Sequence, residues 1–108
     1  MYCLKKLKKI AKESDCEKYK FAAVIYKGNK FIAGACNIRK THPRGSGINS
    51  TLHAEVRTIL KALRTHPSLE GYQMYVLRIG RRGDLRPAKP CKDCMKMIRK
   101  YKLRVTWT

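Results

Sequence analysis

Two short stretches, His53-Ala54-Glu55 and Pro90-Cys91-Lys92-Asp93-Cys94, hold the residues whose types and spacing can do chemistry. One imidazole and two thiolates offer zinc three ligands and leave a fourth position for water, whose pKa the metal lowers from 15.7 to about 7. Hydroxide is then available at neutral pH. Glu55 is left as a carboxylate without a ligand role, suited to carrying protons. A helix capped by Asn49 or Ser50 puts His53 and Glu55 in its first turns, about 200° apart around the axis. They cannot share a face, but at a helix tip one side chain can reach a metal while the other reaches over it to a substrate. Metalloprotease histidines at i and i+4 meet a different demand. Pro90 fits the start of a second helix and places Cys91 and Cys94, three apart, on one side of its opening turn. Both sulfurs can point at one ion, and the helix dipole and Lys92 favour thiolate over thiol. The expected cofactor is one zinc ion per chain.

Each motif alone has a plainer reading. Cys-x-x-Cys also describes a redox pair or half of a structural zinc site, and His-x-Glu is common by chance. Ligands, proline, carboxylate and flanking elements agree only when the two are taken together. A closed structural site needs a fourth protein ligand, which His42 or Cys36 could supply.

The pair of motifs resembles the signature of the zinc-dependent cytidine deaminase superfamily, His-x-Glu followed by Pro-Cys-x-x-Cys. The resemblance implies that His53, Cys91 and Cys94 are zinc ligands, that Glu55 is the proton shuttle, that the Ala54 amide holds the base carbonyl and that Asn37 contacts the sugar. Asn37 to Pro43, followed by Leu52-His53-Ala54-Glu55, is similar to small phage-type deaminases of the deoxycytidylate group. The likeness runs from the first helix to the strand ending at Trp107. It implies a cytidine deaminase-like three-layer α/β/α sandwich with a mixed sheet, an antiparallel hairpin followed by parallel strands. Many members continue beyond the position of Thr108 with another helix and strand, so a C-terminally short version is expected, its substrate pocket wider or completed by a partner.

The elements that must position these residues are legible from periodicity. Leu4, Leu7, Ile10 and Ala11 recur at helical spacing between lysines and predict an amphipathic helix ending before Glu17, lying flat on a sheet. Phe21–Tyr26 and Lys30–Asn37 flank Gly28-Asn29 and predict an antiparallel hairpin. Ile38–Asn49, with Pro43, Gly45, Ser46 and Gly47, reads as a loop that gates the substrate. From Thr51 to about Arg64, Leu52, Val56, Ile59, Leu60 and Leu63 form an apolar stripe that seats the first ligand helix on the core. Gln73–Ile79 is a strand, and Gly80–Lys89 an arginine-rich connection with a turn at Gly83-Asp84. Cys91 to about Tyr101 is the second ligand helix, with Met95, Ile98 and Tyr101 inward, and Leu103–Trp107 the last strand. This order argues for an α/β layered sheet with both ligand helices on one side.

Composition frames the rest. A chain of 108 residues, 44% hydrophobic, is one domain able to bury somewhat under about 70% of its unfolded surface. No apolar run approaches a membrane span, and lysines interrupt Met1 to Ile10, so a cytoplasmic protein without membrane association is expected. Five cysteines, two of them committed to zinc, suit a reducing compartment better than a disulfide framework, with Cys3, Cys16 and Cys36 as reduced thiols.

Twenty-six lysines and arginines against seven acidic residues give a net charge of +19, well beyond the magnitude of about 2 to 8 that keeps a small domain soluble. A lysine-rich surface is one explanation, but the distribution points to polyanions. Arg78, Arg81, Arg82, Arg86, Lys89 and Lys92 lie between a strand and the zinc cysteines, while Arg39, Lys40 and Arg44 follow Asn37. One nucleotide phosphate needs one or two cations, whereas a row suits the backbone of a strand on either side of a target base. Single-stranded nucleic acid is therefore the expected partner, with Arg39 and His42 as loop contacts to the substrate. A free cytidine or deoxycytidylate is the alternative, and a non-catalytic zinc module that binds nucleic acid a further one. Nothing in the residues excludes adenine. Relatives often assemble, although like-charge density opposes self-association unless an anion intervenes.

Overall fold

Odd and even positions of one central strand serve two separate cores. In chain order the elements are α1 (Leu4–Ala11), β1 (Lys20–Lys27), β2 (Lys30–Cys36), β3 (Ile38–Arg39), β4 (Thr51–Leu52), α2 (Ala54–Leu63), β5 (Gln73–Ile79), β6 (Leu85–Arg86), α3 (Lys92–Lys100) and β7 (Arg104–Trp107). The computed structural model describes residues 3–14, 20–39 and 51–108, without the side chains of Arg39, Thr51 and Leu52. Cys16, Lys40, His42, Arg44 and most of the expected gating loop lie outside the described residues.

Along β1, Ala22, Val24 and Tyr26 face α1, where they pack with Leu7, Ala11, Leu77 and Ile79. Ala23 and Ile25 face the other way, into a core with Ile59, Ala62, Met74, Val76 and Ile98. A strand covered on both faces must be apolar at successive positions, and Phe21 to Tyr26 is. The three layers are thus α1, the sheet, and α2 with α3.

The sheet is mixed. β1 pairs antiparallel with both β2 and β5, while β7 runs parallel to β5 along Gln73–Val76. β6 occupies the same edge of β5 further on, antiparallel at Arg78 and Ile79, inside the segment expected to be an irregular connection. The hairpin turns at Gly28, whose φ of 61° suits glycine. One extra residue on β2, Ile32, then shifts the register between Tyr26↔Phe31 and Ile25↔Ala33.

Two expectations need correction. The segment after Asn37 is not all loop, because Ile38 and Arg39 pair with Leu52 and Thr51 in a short ribbon. The buried face of α2 is Ala54, Glu55, Thr58, Ile59 and Ala62, and Leu60 is 53% exposed. Small residues let α2 lie close to the sheet, which rotates the longer Leu60 outward. Trp107 holds its expected place in the last strand, β7, and is 38% exposed.

Candidate metal centre and the cavity beside it

Both ligand helices end at the same point. His53 is the N-cap of α2 (φ −70°, ψ 144°) and Cys91 the N-cap of α3 (φ −67°, ψ 168°). This extended backbone lets each side chain leave the helix axis while its carbonyl accepts the first intrahelical bond, from Arg57 N–H at 3.1 Å and from Met95 N–H at 2.8 Å. Neither side chain caps its own helix, so imidazole and thiol are turned to another use. The helix starts differ from those expected. The cap of α2 is His53 itself, four and three residues beyond the expected Asn49 or Ser50, so helical rotation does not set the angle between His53 and Glu55. Pro90 lies ahead of the cap instead of at the first helical position.

His53 Nδ1 lies 3.3 Å from Cys94 Sγ and 3.6 Å from Cys91 Sγ, and the three ligand atoms are within 4.8 Å of one another. Tetrahedral zinc with Zn–S about 2.3 Å and Zn–N about 2.0–2.1 Å holds sulfur and nitrogen about 3.6 Å apart. The donor set therefore fits a zinc ion as it stands. No other such group of histidine, cysteine and carboxylate side chains exists among the described residues. Cys36 does not join it: Arg57 donates to the Cys36 carbonyl and to its sulfur, the latter at 3.8 Å.

Glu55 is 4% exposed. Its carboxylate lies against Cys94, whose thiol is pushed far above the ordinary cysteine value by burial first and then by the Glu55 charge and the Cys91 thiol. Burial and the Glu55 charge thus oppose the expected pull of the helix dipole and Lys92 towards the thiolate. Thr58 Oγ1, one turn further along, lies 2.7 Å from Ala54 O and 3.1 Å from Ala23 O. Its proton ties the first turn of α2 to β1.

A cavity of about 370 Å³ opens beside the group, lined by Phe21, Asn37, His53, Ala54, Glu55, Arg78, Lys89 and Cys91. Asn37 is buried and held at three points. Its N–H donates to Phe21 O at 3.1 Å, and its Oδ1 accepts from Phe21 N–H at 2.9 Å and Ser14 Oγ at 2.8 Å. The Arg78 guanidinium stands 5.5 Å from the centre of the Phe21 ring. A second cavity of about 590 Å³ is lined by Arg78, Gly80, Arg81, Arg82, Asp84 and Arg86. Arg86 Nε is 2.7 Å from Asp84 Oδ2, so this cation is partly neutralised inside the molecule. Of the cations expected at the site, Arg78 and Lys89 line the first cavity, and Arg81, Arg82 and Arg86 the second. Lys92 is exposed at the first position of α3.

Sequence reasoning missed Phe21, Ser14, Thr58 and Thr108. Thr108 fastens the arginine-rich segment to β5: its N–H donates to Val76 O (3.0 Å), its Oγ1 donates to Arg86 O (2.7 Å), and its carbonyl accepts from Ala88 N–H (2.8 Å). No local signal marks any of the four, and Phe21 comes to face Asn37 only through the extra residue on β2.

A three-layer α/β/α fold carrying a His-Cys-Cys donor set with a buried glutamate at the tips of two helices defines a zinc-deaminase type of domain. Residues 1–107 match the cytidine and deoxycytidylate deaminase zinc-binding region, and the chain belongs to that family. Among solved structures it is similar to the dCMP deaminase of the cyanophage S-TIM5 in apo form, with 22% identity over 98% of this chain and 79% of that one and a TM-score of 0.75. The same cyanophage enzyme in complex with dCMP and dUMP gives 22% identity, 98% and 77% coverage and a TM-score of 0.75. The cytidine deaminase of Mycobacterium tuberculosis gives 14% identity, 93% and 77% coverage and a TM-score of 0.62. At these identities the likeness speaks for the fold. No curated protein sequence matches the chain.

Proposed function

We propose that this protein is a zinc-dependent hydrolytic deaminase that converts cytosine to uracil within single-stranded nucleic acid. The chemical part rests on one observation, the meeting of His53, Cys91 and Cys94 at two helix tips with Glu55 buried against them beside a cavity. A zinc ion held by His53 Nδ1 and the two sulfurs supplies Lewis acidity and an acidic solvent ligand at neutral pH. Glu55 takes a proton from the attacking water and returns protons to ring N3 and the departing amine, so that cytosine and water become uracil and ammonia. The Ala54 N–H, first in α2 and without an acceptor in its own helix, holds the base carbonyl. Asn37, fixed by Phe21 and Ser14, contacts the sugar, and the Phe21 ring forms an apolar wall for the base.

The polymeric substrate rests on charge. Arg78 and Lys89 at the first cavity suffice for one phosphate, and Arg81, Arg82 and Arg86 stand beyond it. A free nucleotide is the second reading, favoured by the fold shared with a cyanophage enzyme solved with dCMP and dUMP. A non-catalytic zinc module would need a fourth protein ligand, and none stands at the group among the described residues. Five cysteines, two of them in the candidate metal group, suit a reducing, cytoplasmic setting. No described helix is long and apolar enough to cross a membrane.

Mass spectrometry of zinc-loaded protein offered mononucleotides, single-stranded DNA, RNA and transfer RNA at two salt concentrations separates the readings. Uracil formation on a polynucleotide that falls steeply with salt supports the proposal. Turnover confined to mononucleotides and indifferent to salt replaces it with the second reading.

A further inference from the structure

Three cavities adjoin one another. The candidate active-site cavity and the second cavity share Arg78, and the second shares Gly80 and Arg81 with a third of about 500 Å³, lined also by Lys12, Lys20, Ile79 and Gly83. Lys12 is the residue that ends α1 and is exposed. Lys20 Nζ is held 2.7 Å from Ser14 O. Among the described residues the three linings contain seven cations, Arg78, Lys89, Arg81, Arg82, Arg86, Lys12 and Lys20, and two carboxylates. Of these carboxylates, Glu55 faces the metal group and Asp84 is paired with Arg86. Gly80 packs closely against the Asp84–Arg86 pair, since a Cβ there would stand 2.7 Å from Asp84 Oδ1 and 3.0 Å from Arg86 Nε.

We propose that these cavities form one continuous cationic track that binds the sugar-phosphate backbone of a single strand, leading from the zinc site past the Gly80–Arg86 turn to the end of α1 at Lys12. The proposal deepens the polynucleotide reading above and rests on it for the substrate. The track itself is a statement about polyanion binding. Phosphates of successive nucleotides meet Arg78, then Arg81 and Arg82, then Lys12 and Lys20, so affinity grows with strand length after the base site is filled. Lysine and arginine at this spacing read no sequence, which predicts binding indifferent to the bases along the flank.

Fluorescence anisotropy with labelled oligothymidylate tests the track apart from the chemistry, since these strands contain no cytosine. The zinc-loaded full chain is compared with a Lys12→Ala/Arg81→Ala double variant and with an Arg64→Ala/Lys100→Ala control. The control removes the same charge from the C-cap of α2 and the last residue of α3, the ends of these helices away from the candidate metal group. Every phosphate that is no longer neutralised lowers the log–log salt slope by about 0.7 for a single strand. The track variant should therefore lose about 1.4 in slope, equivalent to about 25-fold weaker binding at 0.1 M salt with near convergence at 1 M. It should also lose the gain in affinity from a dinucleotide to a dodecamer, while the control keeps most of both. Equal losses in the two variants, or an unchanged slope at Lys12 and Arg81, overturn the track. Loss of binding in the track variant by a protein that forms no uracil on any substrate upholds the track and overturns the deaminase reading instead.

Discussion

Among the described residues, Cys94 carries the sharpest electrostatic conflict. Burial, the Glu55 charge and the Cys91 thiol all raise its pKa above the ordinary 9.0. A group with a raised folded pKa stabilises the fold fully below its unfolded value and loses that contribution as pH rises through the folded one. Metal-free protein should therefore lose stability above about pH 9, while zinc-loaded protein, whose thiolates are held by the metal, should not. Thermal denaturation with and without chelator between about pH 7 and pH 10 reads the difference, and parallel curves would contradict it. By the same sign, zinc uptake releases protons and weakens as pH falls. Glu55→Gln keeps the shape of the site and removes its base. We expect zinc to remain bound while uracil formation drops by about 10²- to 10⁴-fold, and a fully active variant would remove the shuttle. The grouping of His53, Cys91 and Cys94 beside Glu55 was legible because metal-binding and proton-carrying chemistry is tied to residue type. The state of the Cys94 thiol was not, because desolvation depends on what packs around it.

Elements show where sequence reasoning stops. The β5 strand, Gln73–Ile79, was readable to the residue, and the hairpin turn followed from Gly28-Asn29. The start of α2 was misplaced because Thr51 and Leu52 pair with Ile38 and Arg39 across a distance no local signal reveals. The partner of Asn37 was hidden for a similar reason. A regular hairpin closing at Lys27↔Lys30 would set Lys20 opposite Asn37, and the extra residue on β2 moves Phe21 there instead. Gly34 makes a further demand, since a Cβ at this position would stand 3.0 Å from Ile10 Cδ1, 3.0 Å from Val24 Cγ1 and 3.1 Å from the Phe31 ring. Gly34→Ala should force the Ile10, Val24 and Phe31 side chains aside and cost about 1–3 kcal/mol. Chemical denaturation measures that loss, and a variant as stable as the parent would show that these side chains give way freely.

For the whole molecule, the charge of +19 was plain from composition, while its arrangement was not. Arg78 to Lys89 are close in sequence and their clustering could be foreseen. Lys12 joins them only because α1 packs beside the end of β5, and Thr108 shapes the arginine segment through bonds that spacing cannot predict. Among the described residues the fold brings three candidate ligands together and holds Cys36 against Arg57. Zinc-edge X-ray absorption on the loaded protein is the most direct test. Two sulfur neighbours at about 2.3 Å, one imidazole nitrogen and one exchangeable oxygen neighbour at about 2.0–2.2 Å are the predicted result. A third sulfur, a second imidazole or any other complete set of four protein ligands would contradict it.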